Sequence, residues 1–537
     1  MARGESTKRG CGKRCGAVAG LAGLGLLCLG FGLLLLQTVP ALLRQQVAKN
    51  TIIDPKSAMF TLWKELPVPF FISFYFMEVM NSKDILLGAK PIVQQRGPYV
   101  YREYREKKNI TFHSNKTVSF LNYRSFIFQP DRSNGLESDY IMMPNILVLG
   151  AAVILEKMPF PVRLTFSSAL ALFRQNAFMN RTVGEIVWGY KEPFIKFLSN
   201  LGVTIGPSNE KFGLFSDLNN SHSGLFTVFT GMDDINKTHM VDSWNGLKEV
   251  SYWHSEECNM INGTAGELWP PFMTPSSPVE LYAPDACRSL KLNYTQSGNF
   301  KGIPVYRYMA PKTLFANGTT YPPNEGFCPC RQSGIQNISS CKLNAPIFIS
   351  QPHFLNADPA LLDTVVGLHP NEKDHDLFVD IHPLTGIPMN CSVQIQLNLF
   401  IKHVSGIWQT GQIKPVVLPL IWFSESGEVE GDVLHDYYTH LIIIPSLLEY
   451  LKFSLMGLGG LLLLAAGLIG LRSKTLTLSW QKDRSVAIQN PPRSDINYHS
   501  VLEKNFLFWR SNKYSGPKGA IAASRKKPSL QWMEMKL

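Results

Sequence analysis

Two uninterrupted apolar stretches bracket the chain. Gly16 to Leu36 runs 21 residues without a charge, about 31 Å as a helix, against a bilayer hydrocarbon core of roughly 30 Å. A cleaved signal peptide would have a shorter apolar region followed by a small-residue cleavage site. Gln37-Thr38-Val39-Pro40 follows instead, so the pattern predicts an uncleaved anchor over residues 16–39. The second stretch, Phe453 to Leu471, is 19 residues, includes the Gly- and Leu-rich run Gly457 to Leu464, and stops against Arg472 and Lys474. Tails 1–15 and 472–537 lie outside the spans, and residues 40–452 lie between them.

Within the middle region the pattern changes period. Ser392 to Ile401 alternates every second residue, placing Val393, Ile395, Leu397, Leu399 and Ile401 on one face of a strand. Phe70 to Met80 and Val416 to Phe423 are aromatic and β-branched runs bounded by proline, which read as buried strands. With 35 Pro and 41 Gly in the chain, many short strands point to an antiparallel sheet or barrel. No linker, charge block or internal repeat divides it.

Residues 145–206 break the strand pattern with helix signals. Asn145 can cap Ile146 to Glu156, Val162 to Gln175 is continuous helix former, and Thr182-Val-Gly-Glu185 has the spacing of a capping box. The segment predicts a helical subdomain set into the β architecture. Its apolar content can close an internal bundle or leave a patch for a partner. Phe160 and Phe173 are candidate contacts. Lys157, Arg163, Arg174, Lys191 and Lys196 are interleaved with them, which suits an amphipathic, acidic partner surface.

Charge sets the orientation, because Lys and Arg near a span are retained on the cytosolic side. Residues 1–15 carry +4 and residues 472–537 carry +9; subtracting both from the chain total of +11 leaves −2 between the spans. Both tails are therefore expected in the cytosol. The basic balance belongs to them and implies no nucleic-acid partner.

Ten N-x-[ST] acceptors, Asn109, Asn115, Asn180, Asn219, Asn236, Asn262, Asn293, Asn317, Asn337 and Asn390, all lie between the spans. Glycan is added on the lumenal side and on exposed surface, so the acceptors place the middle region outside the cytosol. The stretches 40–108 and 391–452 beside the anchors carry none. Six of nine cysteines share that compartment: Cys258, Cys287, Cys328, Cys330, Cys341 and Cys391. Spacing alone leaves their pairing open. Cys11 and Cys15, beside basic residues and the membrane, are candidate palmitoylation sites.

No nucleophile elbow, zinc-protease, P-loop or dinucleotide motif occurs. An enzyme reading has no anchor, and no cofactor is implied. His369, Asp374, His375, Asp376, Asp380 and His382 form the densest set of potential ligands, but their spacing fits no ordinary metal site and reads as hydrogen-bonded loop.

Across nearly the whole middle region the chain resembles the class B scavenger receptors. The resemblance is carried by Arg96-Gly-Pro-Tyr-Val-Tyr-Arg-Glu103, Asn145-Ile-Leu-Val-Leu-Gly-Ala-Ala152, Met179-Asn-Arg-Thr-Val-Gly-Glu185, Trp269-Pro-Pro-Phe272 and Pro352-His-Phe-Leu-Asn-Ala-Asp-Pro359. Phe327-Cys-Pro-Cys330, Leu368-His-Pro-Asn371 and Asp380-Ile-His-Pro383 add to it. It implies a mixed α/β membrane protein with both termini cytosolic, an antiparallel β-barrel ectodomain and a helical apex that docks lipoprotein. It also implies a hydrophobic tunnel toward the bilayer. The partners it implies are high-density lipoprotein and its apolipoproteins, with cholesterol, cholesteryl ester and phospholipid as cargo. A plasma-membrane location, including cholesterol-rich microdomains, and a homo-oligomer are also expected.

By the same resemblance Cys287 pairs with Cys341 and Cys328 with Cys330, leaving Cys258 and Cys391 as candidate free thiols. The C-terminal tail contains no cysteine. It ends Met535-Lys536-Leu537, whose carboxylate and apolar last residue form a candidate ligand for a PDZ adaptor. Tyr498-His-Ser-Val501 has endocytic spacing. The competing readings are a lysosomal sorting receptor of the same family, a two-span ligand-gated channel and an adhesion receptor.

Overall fold

The computed structural model describes residues 5–489 apart from 58, 67, 201–210, 328–331 and 343. Two units divide the chain, Met1–Ala466 and Gly467–Leu537. The principal strands are β1 (Phe70–Val79), β2 (Val93–Phe112), β3 (Thr117–Phe128), β4 (Ser221–Phe229), β5 (Val241–Trp244), β6 (Val279–Ala283), β7 (Arg288–Phe300), β8 (Ile303–Met309), β9 (Ile347–Ser350), β10 (Phe378–Ile381), β11 (Pro388–Ile401) and β12 (Val416–Glu428). The principal helices are α1 (Glu5–Thr51), α2 (Ile146–Leu155), α3 (Phe160–Leu172), α4 (Val183–Trp188), α5 (Phe194–Asn200), α6 (Gly431–Tyr438) and α7 (Ile444–Gln489).

These twelve strands and the short strand Ile335–Asn337 form one 13-stranded sheet whose main path runs β6-β7-β8-β10-β11-β12-β1-β2-β3-β4-β5, with β9 paired to β11 and Ile335–Asn337 paired to β9. Its two edges nearly meet. Thr264 bridges Met240 beside β5 and Leu281 in β6, with Val241 N–H donating to Gly263 O at 2.8 Å and Tyr282 N–H to Thr264 O at 2.9 Å. Gly263 is required at this seam: its φ is +85°, and a Cβ there would lie 2.3 Å from the Glu280 carbonyl. The expected antiparallel barrel is present, closed by one extended segment.

The expected strand over 392–401 lies within β11, but its burial runs opposite to the pattern. Leu399 and Ile401 are fully buried, whereas Val393, Ile395 and Leu397 are only half-buried. The polar residues between them, Gln396 and Asn398, are sealed. Gln396 Oε1 accepts from His353 N–H at 2.8 Å, and Asn398 Nδ2 donates to Ser350 Oγ at 3.1 Å. On this face Gln396 and Asn398 are satisfied by hydrogen bonds to the end of β9 and the turn that follows it. The apolar inner face of β11 fronts the barrel interior.

The helical subdomain follows its sequence signals closely. Asn145 caps α2 through Val148 N–H, and Thr182 and Glu185 make both bonds of the capping box on α4. Helix α3 begins two residues before the expected position, because Pro159 and Pro161 can occupy a first turn that needs no donors.

The two apolar stretches lie in α1 and α7, and each helix runs past its expected end. Helix α1 continues through Pro40 to Thr51, and α7 starts at Ile444 after a π-helical turn at Thr439–Ile443. The spans approach closely at glycines. A Cβ on Gly459 would lie 2.8 Å from Gly25 O, and one on Gly32 2.6 Å from Met456 Cγ.

Candidate functional site

Two surfaces stand out, one on the helical subdomain and one inside the barrel. On the first, α2 is almost wholly buried and α3 buries Phe166, Ser167, Ala169 and Leu170. Phe160, Leu164 and Leu172 share a spacing of four and eight residues along α3 and stay on its outer face. Phe160 is 52% exposed and Leu172 81%. The bundle therefore packs internally and still leaves an apolar stripe outside.

The expected contact residues separate into two groups. Lys157, Phe160, Arg174, Lys191 and Lys196 are exposed. Arg163 is half-buried, donating to Ser405 O at 2.8 Å. Phe173 turns inward and packs on Phe194 and Phe197 with ring centroids 5.4 and 5.7 Å away. It anchors the bundle and does not contribute to its outer surface.

Trp408, marked by no sequence motif, is 60% exposed beside α3. Its N–H donates to Ser167 Oγ at 3.2 Å, and Gln409 exchanges two bonds with the same serine. Met158 and Leu164 add to the patch. A lone tryptophan between Gly406 and Gly411 has no periodicity to reveal it. Only its residue type, large and amphipathic in a polar loop, marks it.

The second surface is the barrel interior. Strand register aligns Val393, Glu425, Ile72 and Tyr101 across β11, β12, β1 and β2, with Ile395, Phe423, Phe74 and Tyr99 in a neighbouring row. Part of this wall is aromatic: Trp188 packs on Phe74, Tyr101 and Phe126, and Phe74 packs on Tyr101. A second buried cluster contains Trp63, Phe120 and Phe226.

Charged side chains lie on the same inner face. Arg105 donates to Glu103 at 2.9 and 3.1 Å and also meets Glu425. Arg124 reaches Asp285 at 2.8 Å, while Lys107 meets Glu267. Burial raises the Glu103 carboxyl against the opposing pull of Arg105. For Asp285, burial would also raise the carboxyl, but Arg124 and Lys342 outweigh it and hold the group below its ordinary range.

Asp285 keeps 50% of its side-chain surface accessible where it meets Arg124. Val393, Ile395 and Leu397 on the inner face of β11 are half-buried.

The remaining expected residues fall as follows. Cys287 and Cys341 are joined by a disulfide with Cα atoms 6.4 Å apart, while Cys258 and Cys391 are free thiols. Burial, with Glu425 nearby, pushes the Cys391 thiol up to about 12. Cys328, Cys330 and the C-terminal Met535, Lys536 and Leu537 lie outside the described residues, and nothing is described of the Cys11 and Cys15 side chains. Asn109, Asn115, Asn180, Asn236 and Asn293 are exposed; Asn219, Asn262, Asn317, Asn337 and Asn390 are half-buried.

The His/Asp set disperses into separate bonds. Arg307 forks onto Asp380, His382 pairs with Thr385, and His375 accepts from Asn371 N–H. Among the described residues, no group of His, Cys, Asp or Glu could hold a metal ion.

Comparison with known proteins adds the decisive observation, since the CD36 family model matches residues 22–469. The chain belongs to the CD36 family. It is 58% identical to scavenger receptor class B member 1 of Rattus norvegicus, with 92% of each chain covered. Identity to the Cricetulus griseus protein of the same name is 55%, covering 94% of each. Lysosome membrane protein 2 of Homo sapiens is more distant, at 34% identity over 78% of this chain and 88% of its own. This CD36-family chain is a class B scavenger receptor, a receptor type and not an enzyme type. Its two apolar helices make it a two-span membrane protein with an ectodomain between them.

Proposed function

We propose that this class B scavenger receptor sits in the plasma membrane with both tails in the cytosol. There it docks high-density lipoprotein through its apolipoproteins and surface lipid at the α3 patch, and passes cholesteryl ester and cholesterol through the barrel. Phospholipid and modified lipoprotein are further ligands of the same surface. The half-buried apolar residues Val393, Ile395 and Leu397 on the inner face of a nearly closed sheet are the observation that supports this reading.

The physical need is clear. Each buried CH₂ brought into water costs about 0.8 kcal/mol, so a neutral ester does not cross the aqueous gap between particle and bilayer unaided. A walled apolar path lowers that barrier without catalysis. The ten acceptors would carry glycan on the outer shell, Cys11 and Cys15 would take acyl groups, and Leu537 would engage a PDZ adaptor. Homo-oligomerisation belongs to the same proposal.

Selective uptake tests it. Cells displaying the chain should accumulate labelled ester from high-density lipoprotein in excess of labelled apolipoprotein. Uptake equal to vector controls at matched surface display would refute it.

A further inference from the structure

Arg105, Arg124 and Lys107 each meet a carboxylate, but Arg288 does not. It opens β7 at 7% exposure, and its hydrogen bonds all go to neutral oxygens. Nε donates to Ser289 O at 3.2 Å, and Nη1 donates to Leu314 O at 3.3 Å and to Gln336 Oε1 at 2.7 Å. The guanidinium lies 3.5 Å over the Phe327 ring. Burial pushes it down to about 10, and the ionisable neighbour pulling the other way is the free thiol of Cys258. Among the described residues no carboxylate pairs with this cation, and a buried charge is costly until it is paired.

Beside Arg288 lies a cavity of about 10 Å³, lined also by Phe315, Asn324, Phe327 and Gln336. It has room for one water-sized particle and for no polyatomic ligand. Gln336 is 2% exposed, and its Oε1 accepts from Arg288, which sets the orientation of its amide. The Nε2 that remains has no hydrogen-bond partner. Asn324 spends its own Nδ2 on the carbonyls of Thr313, Leu314 and Ala316, which pins that side of the cavity wall.

An unpartnered buried donor and a cation without a counter-charge therefore meet at a space for one small particle. We propose that this cavity is a binding site for a single halide ion, chloride, held by the Arg288 guanidinium and Gln336 Nε2. A water molecule would accept from the amide but leave the charge of Arg288 uncompensated. A halide answers both, and gluconate is too large to enter. The ion joins β7 to Ile335–Asn337 and to the 313–327 segment, next to the disulfide at Cys287. Its binding favours the folded ectodomain by mass action.

The test uses the full-length chain in nanodiscs at pH 7 and constant ionic strength, exchanging sodium gluconate for sodium chloride or sodium bromide. Each halide should raise the melting temperature saturably by about 1–3 °C, the shift for an ion at roughly ten to a hundred times its Kd. Gln336→Glu removes the donor and gives Arg288 an internal carboxylate. That variant should melt in gluconate as the unaltered chain melts in chloride, with no further response to halide. Arg288→Gln removes the charge and should lose the response as well. Crystals grown in bromide should show an anomalous peak between Arg288 and Gln336.

A melting temperature of the unaltered chain that ignores halide would overturn the site. So would a halide response retained in Gln336→Glu, or bromide peaks at other positions alone, either of which would mean an adventitious ion only.

Discussion

Trp408 is held against Ser167 by a 3.2 Å hydrogen bond from its backbone N–H to the serine Oγ, leaving the indole outside the fold. The loop is thus fixed by polar contacts and its aromatic ring is left free for a partner. Tryptophan is among the residues in which interface binding energy concentrates. Trp408→Ser should weaken lipoprotein binding by about 1–2 kcal/mol, roughly 5- to 30-fold, with an unchanged melting temperature. Binding isotherms on nanodisc-held receptor check this, and unchanged affinity would show that the patch is not the docking surface.

Lys107 and Glu267 form a pair that is almost entirely buried. Lys107 also donates to Trp63 O at 2.9 Å, and Glu267 accepts from Asn122 at 2.7 Å. Removing one partner strands the other charge, at a cost of about 3–5 kcal/mol. Glu267→Ala should therefore destabilise far more than the double replacement Lys107→Met with Glu267→Leu. Burial raises the Glu267 carboxyl, but Lys107 and Arg105 outweigh it and hold the group low. Its contribution is accordingly present above the unfolded carboxylate range and lost as pH falls through the folded value. Urea titrations of the single and double variants decide the comparison.

Acid should act earlier through three buried histidines. Burial lowers His239 and His353 to about 3 and His382 to about 4. The unfolded chain binds these protons near pH 6.5 while the folded chain resists them, so stability rises with pH across this window. Each group removes up to about 1.4 kcal/mol per pH unit between 6.5 and its folded value. Melting temperatures at pH 7, 6 and 5 should fall progressively. His353→Gln should flatten that decline, and an identical slope in the variant would contradict the assignment.

Gly263→Ala should open the barrel seam. The substitution adds a Cβ 2.3 Å from Glu280 at a φ of +85°, a strain of about 2 kcal/mol or more. Faster proteolysis near 263–281 and a lower melting temperature are expected, whereas Gly246→Ala, which meets nothing within 4 Å at φ +78°, should cost less.

Local signals carried the sequence reading a long way. Asn145 and the Thr182/Glu185 pair marked helix starts because a cap is written in adjacent residues, and the two apolar stretches marked the spans by length alone. What depended on distant partners was hidden. The half-buried inner face of β11 reads in sequence as ordinary core, because only the nearly closed sheet sets Val393 and Ile395 at the edge of a core cluster. Ion pairs join Arg105 to Glu425 and Arg124 to Asp285 across segments far apart in the chain, and no periodicity announces such pairs. Trp408 and the seam at Thr264 escaped for the same reason, since each takes its meaning from a neighbour remote in sequence.

The close approach of Gly25 and Gly459 ties together helices from opposite ends of the chain. A protease that cuts once anywhere in the intervening region produces two fragments, each still held by its own span. No soluble fragment can be shed by a single cleavage. Release of the ectodomain requires one cut beside each helix, so circulating forms of this receptor would report double processing or whole-membrane vesicles.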